Sequence, residues 1–383
     1  MQLHRSSGVL MHVSSLYGSD SIGGFGQEAR EFIDFLADCG FGWWQVLPFC
    51  MSDEYNSPYK SFSAFGGNPY FVDIRRLREE GLLSAAEVEA VRETTPFSAE
   101  YGYLYRTRLD LLRRAAERTD AAERARVAAF LTDNPYLAQF CDFMARRRAN
   151  GDLPWYRWQD AAARDEQEYE AWGFIQYRFM SQWQAIHDYA AHRGVKILGD
   201  MPIYVSYDSC DVFANREQFL LDAAGAPTAV AGCPPDYFAR DGQLWGNPLY
   251  DWDRMRDDGY RWWIRRLSAA GKLYDTVRID HFRGLESYWA VPYGETTARS
   301  GHWRKGPGES FIDTIKTALP GLDIIAEDLG FMTPEVIALR EYSGFPGMKV
   351  LQFAFDSREP SDYLPHRYPT NCICYTGTHD NAT

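Results

Sequence analysis

Short apolar runs alternate with helical patterns near both ends of the chain. A first helical pattern follows a glycine-rich loop and ends at Gly40, and two more lie at 310–319 and 333–342. This order of strand and helix is typical of a parallel sheet. The pattern predicts seven strands, at residues 8–13, 43–48, 195–199, 276–279, 323–326, 349–353 and 372–376. We therefore predict an α/β fold, a (β/α)8 TIM barrel.

Two stretches interrupt this alternation. Residues 73–189 carry helical patterns almost throughout, and residues 201–255 are rich in proline and glycine, which is typical of loops. We predict that 73–189 is an inserted helical subdomain and that about 201–255 is a loop insertion. Residues 1–72 and 190–383 would form the barrel itself. Because the chain ends just after the seventh strand, we expect the last barrel segment, with the eighth strand that closes a barrel, to be absent.

Charge and composition exclude several classes of protein. The 383 residues include 40 Lys and Arg and 53 Asp and Glu, and the net charge of −13 argues against a nucleic-acid partner. There is no apolar run of about 18 residues and no secretory signal, so we expect a cytoplasmic protein without a membrane partner. Aromatic residues make up 15% of the chain. This content suits stacking on sugar rings, and it equally suits an aromatic-rich core.

Acidic residues follow four of the predicted strands. They are Asp200, Asp280, Glu327 and Asp380. In α/β barrels the carboxyl ends of the strands form the active face, so we expect the four side chains to converge on one rim. A single acidic residue after a strand also serves as a helix N-cap or as an ordinary loop residue. Four of them in register favour a catalytic cluster.

The surroundings of these acids predict different roles for them. Arg278 lies two residues before Asp280 and on the same strand face, where its charge would lower the pKa of Asp280 and keep this nucleophile ionised. Glu327 follows apolar residues, which would raise its pKa and keep it protonated as a general acid. A carboxylate nucleophile beside a carboxylic acid is typical of retaining glycosidases. Asp380 would support this pair by binding sugar hydroxyls.

Two histidines lie next to these acids. His281 follows Asp280, and His379 precedes Asp380. Neutral imidazoles there would bind sugar hydroxyls, and the alternative is a pair of buried, hydrogen-bonded histidines. Histidine beside aspartate also suits zinc or manganese, so a metal-dependent hydrolase is another alternative, although no HExxH spacing occurs. A nucleotide enzyme is disfavoured because neither a P-loop nor a GxGxxG motif after a strand is present.

Several motifs of the chain resemble one known family. The α-amylase clan, as it appears in 4-α-glucanotransferases (amylomaltases or disproportionating enzymes), has four signature regions, which are similar to GDMPIYV, RIDHFRG, AEDLG and THDN in this chain. Further stretches that resemble this family are RSSGVLMHVSSL, NSPYKSFSAFGGNP, PPDYF and GQLWGNPLYDW. The resemblance runs from about residue 5 to the last residue. Family members continue for about a hundred residues past THDN, which is why we expect this chain to be incomplete.

The resemblance implies a retaining transfer of α-1,4-glucan segments through a covalent glycosyl-enzyme intermediate. Donors would be maltooligosaccharides or products of starch or glycogen, the acceptor would react at its 4-hydroxyl, and no cofactor or metal would be needed. Asp280 would be the nucleophile, Glu327 the general acid/base and Asp380 the stabiliser of the transition state. Substrate contacts are implied for Arg278, His379, Asp200, His281, Ser57, Tyr59, Tyr55 and Trp245. For Tyr55 and Trp245, plain packing is the alternative.

Two further functions stay open on the residues alone. A hydrolase of the same clan would use the same three acids, so only the resemblance separates transfer from hydrolysis. A glucan-binding protein with an inactive barrel would bind the same sugars without turnover. Incubation with maltotriose separates these functions, because transfer lengthens the sugar, hydrolysis only shortens it and binding leaves it unchanged.

Overall fold

The computed structural model describes residues 5–18, 20–51, 56–92, 98–236, 239–330, 332–355 and 361–381. Its strands are β1 (Gly8–Leu10), β2 (Trp43–Gln45), β3 (Lys196–Met201), β4 (Ala229–Cys233), β5 (Gln243–Pro248), β6 (Thr276–Ile279), β7 (Ser287–Pro292), β8 (His302–Lys305), β9 (Asp323–Ala326), β10 (Gly347–Val350) and β11 (Cys372–Tyr375). Its helices are α1 (Gln27–Asp38), α2 (Ile74–Glu79), α3 (Ala85–Ala90), α4 (Tyr101–Glu117), α5 (Ala121–Asp133), α6 (Pro135–Ala149), α7 (Glu166–His192), α8 (Cys210–Ala214), α9 (Trp252–Asp257), α10 (Arg261–Leu273), α11 (Gly308–Ala318) and α12 (Pro334–Ser343).

The chain divides into two compact units. One consists of residues 7–197 and 205–216, and we call it the helical unit. The other consists mainly of residues 198–204 and 217–383, and we call it the strand-rich unit. Within the described residues, no helix has both the length and the apolar character needed to cross a membrane.

Helices of the helical unit begin at side chains that cap their free amide groups. Asp73 caps α2, and Ser84 with Glu87 forms a capping box at the start of α3. Such caps satisfy amides that the first helical turn leaves without a partner. Helices α2 to α7 lie between residues 74 and 192, so the helical content predicted for 73–189 is observed. The domain boundaries placed there from the sequence stay a prediction.

Helix α7 forms the centre of the helical unit. Trp172, Phe179 and Trp183 are each 1% exposed, and burial of such large rings is strongly stabilising. Gln176 of the same helix is fully buried and exchanges two hydrogen bonds with the backbone of Gly67, at 2.7 and 3.0 Å. A buried amide side chain is tolerated there because both of its polar ends have partners.

Three parallel strands organise the strand-rich unit. β6 pairs with β3 on one side and with β9 on the other, and the apolar side chains of Val277, Ile279 and Ile325 are buried. Helices α10, α11 and α12 lead into β6, β9 and β10, so the predicted alternation is observed here. The strand predicted at 349–353 lies earlier, at β10, and a 3-10 helix follows it at Leu351–Phe355.

A four-stranded antiparallel sheet, in the order β5-β4-β7-β8, completes the strand-rich unit. The sequence predicts loop structure for 201–255, and the structure differs there because β4 and β5 both lie in this range. Their pairing is irregular between Val230 and Gly232. A Cβ atom on Gly232 would lie 2.4 Å from the carbonyl oxygen of Gln243, so the close approach of the strands requires glycine. Glycines of this kind hide strands from a sequence pattern.

Candidate active site

Charged residues lie where the parallel strands of the strand-rich unit end. Asp200 of β3 lies directly opposite Arg278 of β6. β6 and β9 are paired up to their last residues. Asp280 and Glu327, which follow these two strands, therefore emerge side by side at the carboxyl ends of the sheet. This is the edge at which α/β barrels carry their catalytic residues.

Arg278 joins two of these acids. Its Nη1 donates to Oδ2 of Asp200 at 2.6 Å, and its Nη2 donates to Oδ1 of Asp280 at 2.9 Å. The side chains of Arg278 and Asp200 are 4% and 0% exposed, whereas that of Asp280 is 29% exposed. Asp280 is thus held from the inside of the strand-rich unit, and only part of its side chain meets solvent.

Glu327 is fixed by the turn that follows Asp280. Its Oε2 accepts the amide N–H of His281 at 2.8 Å, and its Oε1 accepts the amide N–H of Leu329 at 3.0 Å. His281 has a left-handed backbone, with φ of 52°. This conformation is uncommon for a residue other than glycine and is concentrated at functional sites. This turn therefore carries Asp280 and also holds Glu327, through the amide of His281.

Burial dominates the electrostatics of these two carboxyls. It raises the pKa of Asp280 to about 8, although the Arg278 guanidinium acts in the opposite direction. It also raises the pKa of Glu327, against the effects of Arg278 and of two amide hydrogen bonds. The direction predicted for Glu327 is therefore confirmed. The direction predicted for Asp280 is wrong, because the loss of water and the neighbouring carboxylates outweigh one cation.

Asp380 and His379 lie within electrostatic reach of this group. The charges of Asp200, Glu327 and Asp380 each raise the pKa of Asp280, so the structure brings the four predicted acids together. His379 Nε2 lies 3.5 Å from Oδ1 of Asp380, whose side chain is exposed. Burial lowers the pKa of His379, which favours the neutral imidazole. Among the described residues, no three His, Cys, Asp or Glu side chains are grouped so that they could hold a metal ion.

An indole from β5 adjoins the turn. Trp245 meets the ring of His281 edge-on, with centroids 4.8 Å apart and an interplanar angle of 87°, and it remains partly exposed. Burial, with a smaller effect of Arg283, lowers the pKa of His281 to about 3, so this imidazole is neutral at physiological pH. A neutral imidazole can both donate and accept a hydrogen bond. Such a group suits sugar hydroxyls.

The other predicted contacts lie in the helical unit or outside the described residues. Ser57 and Tyr59 belong to the helical unit, where the Tyr59 amide donates to the Ser57 hydroxyl at 3.3 Å. Tyr55 lies outside the described residues. The acceptor-side contacts that the resemblance implies for Ser57 and Tyr59, and the substrate contact that it implies for Tyr55, therefore stay predictions.

Known proteins are similar to this chain in sequence and in fold. A family model described as 4-alpha-glucanotransferase matches residues 11–383. The chain belongs to the 4-alpha-glucanotransferase family. It is 47% identical over 395 residues to the 4-alpha-glucanotransferase of Streptococcus pneumoniae serotype 4, with 99% of this chain and 78% of that protein covered. It is 43% identical over 398 residues to that of Thermus thermophilus, with 100% and 80% covered.

Among solved structures, the amylomaltase from Streptococcus agalactiae in complex with acarbose is similar, with a TM-score of 0.94 and 37% identity. The match covers 99% of this chain and 80% of that one. The family member described here is therefore a glucan-transferring enzyme with an α/β fold of the TIM-barrel type, and α-glucans are its substrates. The resemblance seen in the sequence is confirmed.

Two residues that support the site were missed by the sequence analysis. Met348 of β10 accepts a hydrogen bond from Nε of Arg278 at its sulfur, at 3.3 Å. Asp328 accepts the amide N–H of Met348 at 2.6 Å and pairs with Arg340 at 3.2 Å. Asp328 had a signal, because it directly follows Glu327 within the AEDLG motif. Nothing in the sequence pattern marks Met348.

Proposed function

We propose that the enzyme transfers α-1,4-glucan segments by double displacement, with Asp280 as nucleophile, Glu327 as general acid/base and Asp380 as stabiliser of the transition state. One observation carries this proposal. Asp280 accepts a hydrogen bond from Arg278, and Glu327 accepts the amide of the residue that follows Asp280. Two carboxyls fixed to one turn suit a retaining reaction, in which they stand about 5–5.5 Å apart.

In the first step, a carboxylate oxygen of Asp280 attacks the anomeric carbon of the donor sugar. The glycosidic bond breaks, and its oxygen takes the proton of Glu327, so the leaving chain departs with a free 4-hydroxyl group. In the second step, Glu327 removes the proton from the 4-hydroxyl of an acceptor sugar. That oxygen attacks the anomeric carbon and releases Asp280, which restores both carboxyls to their starting forms.

The raised pKa values support one part of this cycle directly. The raised pKa makes Glu327 keep its proton to a higher pH than an ordinary glutamate, which favours its role as a general acid. For Asp280 the same burial opposes the ionised form that a nucleophile needs. Arg278 favours that form, and so does the positive charge that develops on the sugar in the transition state.

Aromatic and polar groups around the acids would bind the glucan. Trp245 offers a partly exposed indole next to the neutral His281, a combination that suits a sugar ring and its hydroxyls. Asp200 would position the donor sugar together with Arg278. From the resemblance, Ser57 and Tyr59 would contact the acceptor, and Tyr55 would contact the glucan. Maltotriose and longer maltooligosaccharides are the proposed donors and acceptors, and the exclusion of water by such contacts would favour transfer over hydrolysis.

Trapping of the intermediate tests the proposal. In Glu327→Gln the acid is lost, but an α-maltosyl fluoride donor carries a leaving group that needs no protonation. We expect this variant to accumulate a covalent maltosyl adduct, and mass spectrometry of peptides should place it on Asp280. With the double variant Asp280→Asn, Glu327→Gln as control, no adduct should form. An adduct on another residue would contradict the proposed nucleophile.

A product analysis then tests transfer itself. Wild-type enzyme incubated with maltotriose should give longer maltooligosaccharides together with glucose. Short sugars without any lengthening would instead indicate hydrolysis.

A further inference from the structure

The turn from Asp280 to Glu286 is held from outside by strand β8. β8 is the edge strand of the antiparallel sheet and pairs with β7, so that Trp303 lies opposite Trp289. All four of its residues are exposed. Just after β8, the amide of Gly306 donates to the carbonyl oxygen of Glu286 at 2.7 Å. Lys305 also forms an ion pair with the Glu286 side chain.

The approach of β8 to this turn is too close for any side chain at one point. A Cβ atom on Gly306 would lie 2.3 Å from the carbonyl oxygen of Leu285 and 2.7 Å from that of Gly284. Contacts below 3.0 Å of this kind would force the backbone apart. The end of β8 is therefore fitted against the segment that carries Asp280.

Trp303 covers a buried cation on the same turn. The guanidinium carbon of Arg283 lies 4.0 Å from the centroid of the Trp303 ring, and Arg283 is 5% exposed whereas Trp303 is 40% exposed. Arg283 Nη2 also donates to the Ser287 hydroxyl at 3.1 Å. An indole face attracts a cation more strongly when water is excluded. The Trp303 ring thus shields the Arg283 guanidinium group from water.

The position of Arg283 matters because of what lies beside it. It is three residues from Asp280 and two from His281, whose amide holds Glu327. The charge of Arg283 adds to burial in lowering the pKa of His281. The cation therefore acts on the residue that links the two carboxyls.

We infer that Arg283 is a positioning residue for glucan transfer, and that Trp303 serves it by excluding water from its guanidinium group and fixing the turn that carries Asp280, His281 and the amide bound to Glu327. This inference rests on the proposed function, since it assigns the turn its catalytic importance. Arg283 acts on the two catalytic carboxyls through His281 and through the backbone of the turn. Trp303 acts through Arg283. Neither side chain is assigned a contact with the sugar.

Paired substitutions in the full-length enzyme test this role. Arg283→Met removes the charge at similar length, and Arg283→Lys keeps it. Trp303→Leu removes the aromatic face, and Trp303→Phe keeps one. We expect Arg283→Met to lower kcat for maltotriose transfer by about tenfold to a hundredfold, as displacement of catalytic groups does. KM should change by less than about threefold, because substrate contacts remain. The lysine and phenylalanine variants should recover most of the loss.

A spectroscopic measurement separates this role from a purely structural one. The chain has eight histidines, and the imidazole nitrogen signals of His281 can be assigned in 15N-labelled enzyme by their loss in His281→Gln. In Arg283→Met we expect His281 to titrate at a higher pH than in wild type, whereas Arg283→Lys should leave it near the wild-type value. Arg304→Gln is the matched control, because Arg304 lies on β8 next to Trp303 but points to the other face.

The outcomes are distinct. Wild-type kcat in Arg283→Met, or equal losses in Arg283→Met and Arg283→Lys with an unchanged His281 titration, would overturn the inference. If Arg283→Met does not fold, the Trp303 pair replaces it. Wild-type kcat in Trp303→Leu, or equal losses in Trp303→Leu and Trp303→Phe, would then overturn the inference. If Asp280→Asn retains turnover, the proposed function itself fails. If Asp280→Asn is inactive and both pairs match wild type, only the present inference fails.

Discussion

The two units of this enzyme use buried charge in opposite ways. In the helical unit, the carboxylate of Glu168 accepts two hydrogen bonds from Arg113, at 2.8 and 2.7 Å, and a third from the Trp172 indole at 2.8 Å. In the strand-rich unit, Arg278 donates to both Asp200 and Asp280, and Glu327 lies beside them. Glu168 is thus paired with a cation, whereas the group of Asp200, Asp280 and Glu327 has more acids than cations.

This difference separates structural from catalytic charge. A matched pair ties helices together, and its cost of burial is offset by its hydrogen bonds. An unmatched group holds raised pKa values, which destabilise the fold near neutral pH, and at Glu327 the raised pKa favours the protonated form that a general acid needs. Active sites commonly trade stability for function in this way. The following substitutions test whether the two kinds of charge behave as expected.

Asp280→Asn is expected to have the largest effect on activity. It removes the nucleophile, so turnover should fall by about 10⁴-fold or more while glucan affinity is largely kept. The thermal unfolding midpoint should stay the same or rise. A carboxyl with a raised pKa in the folded state penalises folding as the pH rises above its unfolded value, and asparagine removes that penalty. Transfer assays, maltotriose binding and calorimetry near pH 7 check the three parts. Near-normal turnover would contradict the assignment of Asp280.

Arg278→Met should have the largest effect on stability. It leaves Asp200 and Asp280 without their shared cation, and removal of one partner from a buried ion pair costs about 3–5 kcal/mol. The loss should be smaller at low pH, where the acids are protonated. Urea unfolding at two pH values measures both effects. If the double variant Arg278→Met, Asp200→Asn is no more stable than the single one at neutral pH, the uncompensated charge is not the cause.

The pH dependence of activity tests the sign of the Asp280 pKa shift. Burial raises this pKa to about 8, and the nucleophile must lose its proton. We therefore expect kcat/KM to rise with pH through a value well above about 4 and towards about 8, and to fall about tenfold for each pH unit below it. Asp200→Asn removes a charge that raises the pKa, so the rising limb should move to lower pH. A shift to higher pH would contradict the electrostatic account of this cluster.

The sequence predicts the chemistry of the site better than its electrostatics. Strand ends are visible in the apolar pattern, so the positions of Asp280 and Glu327 follow from β6 and β9. The net pKa of Asp280 depends on how much water its neighbours exclude and on how near three other carboxylates lie. Neither quantity is encoded in the spacing of residues along one strand. Arg278 is visible in the sequence, and its effect alone predicts a lowered pKa for Asp280, whereas the net shift is upward.

The fold shows the same contrast between local and distant determinants. Short parallel strands rich in apolar residues are visible in the sequence, as at β6 and β9. β4 and β5 are not, because Gly232 and a break in register at that point serve contacts with strands elsewhere in the chain. The contact of Trp303 with Arg283 is likewise a matter of tertiary packing, although Arg283 belongs to the RIDHFRG motif.

The smallest effect should come from the matched charge of the helical unit. Glu168→Gln keeps an oxygen for the Trp172 indole but loses the charge paired with Arg113, so we expect a loss of about 1–2 kcal/mol in unfolding free energy. The activity at temperatures below unfolding should not change. Asp253→Asn is the control, because Asp253 pairs with Arg256 on the surface, with side chains 84% and 53% exposed, and such pairs contribute less than about 1 kcal/mol. If Glu168→Gln lowered kcat as well, charge in the helical unit would serve the reaction and the distinction between the two units would not hold.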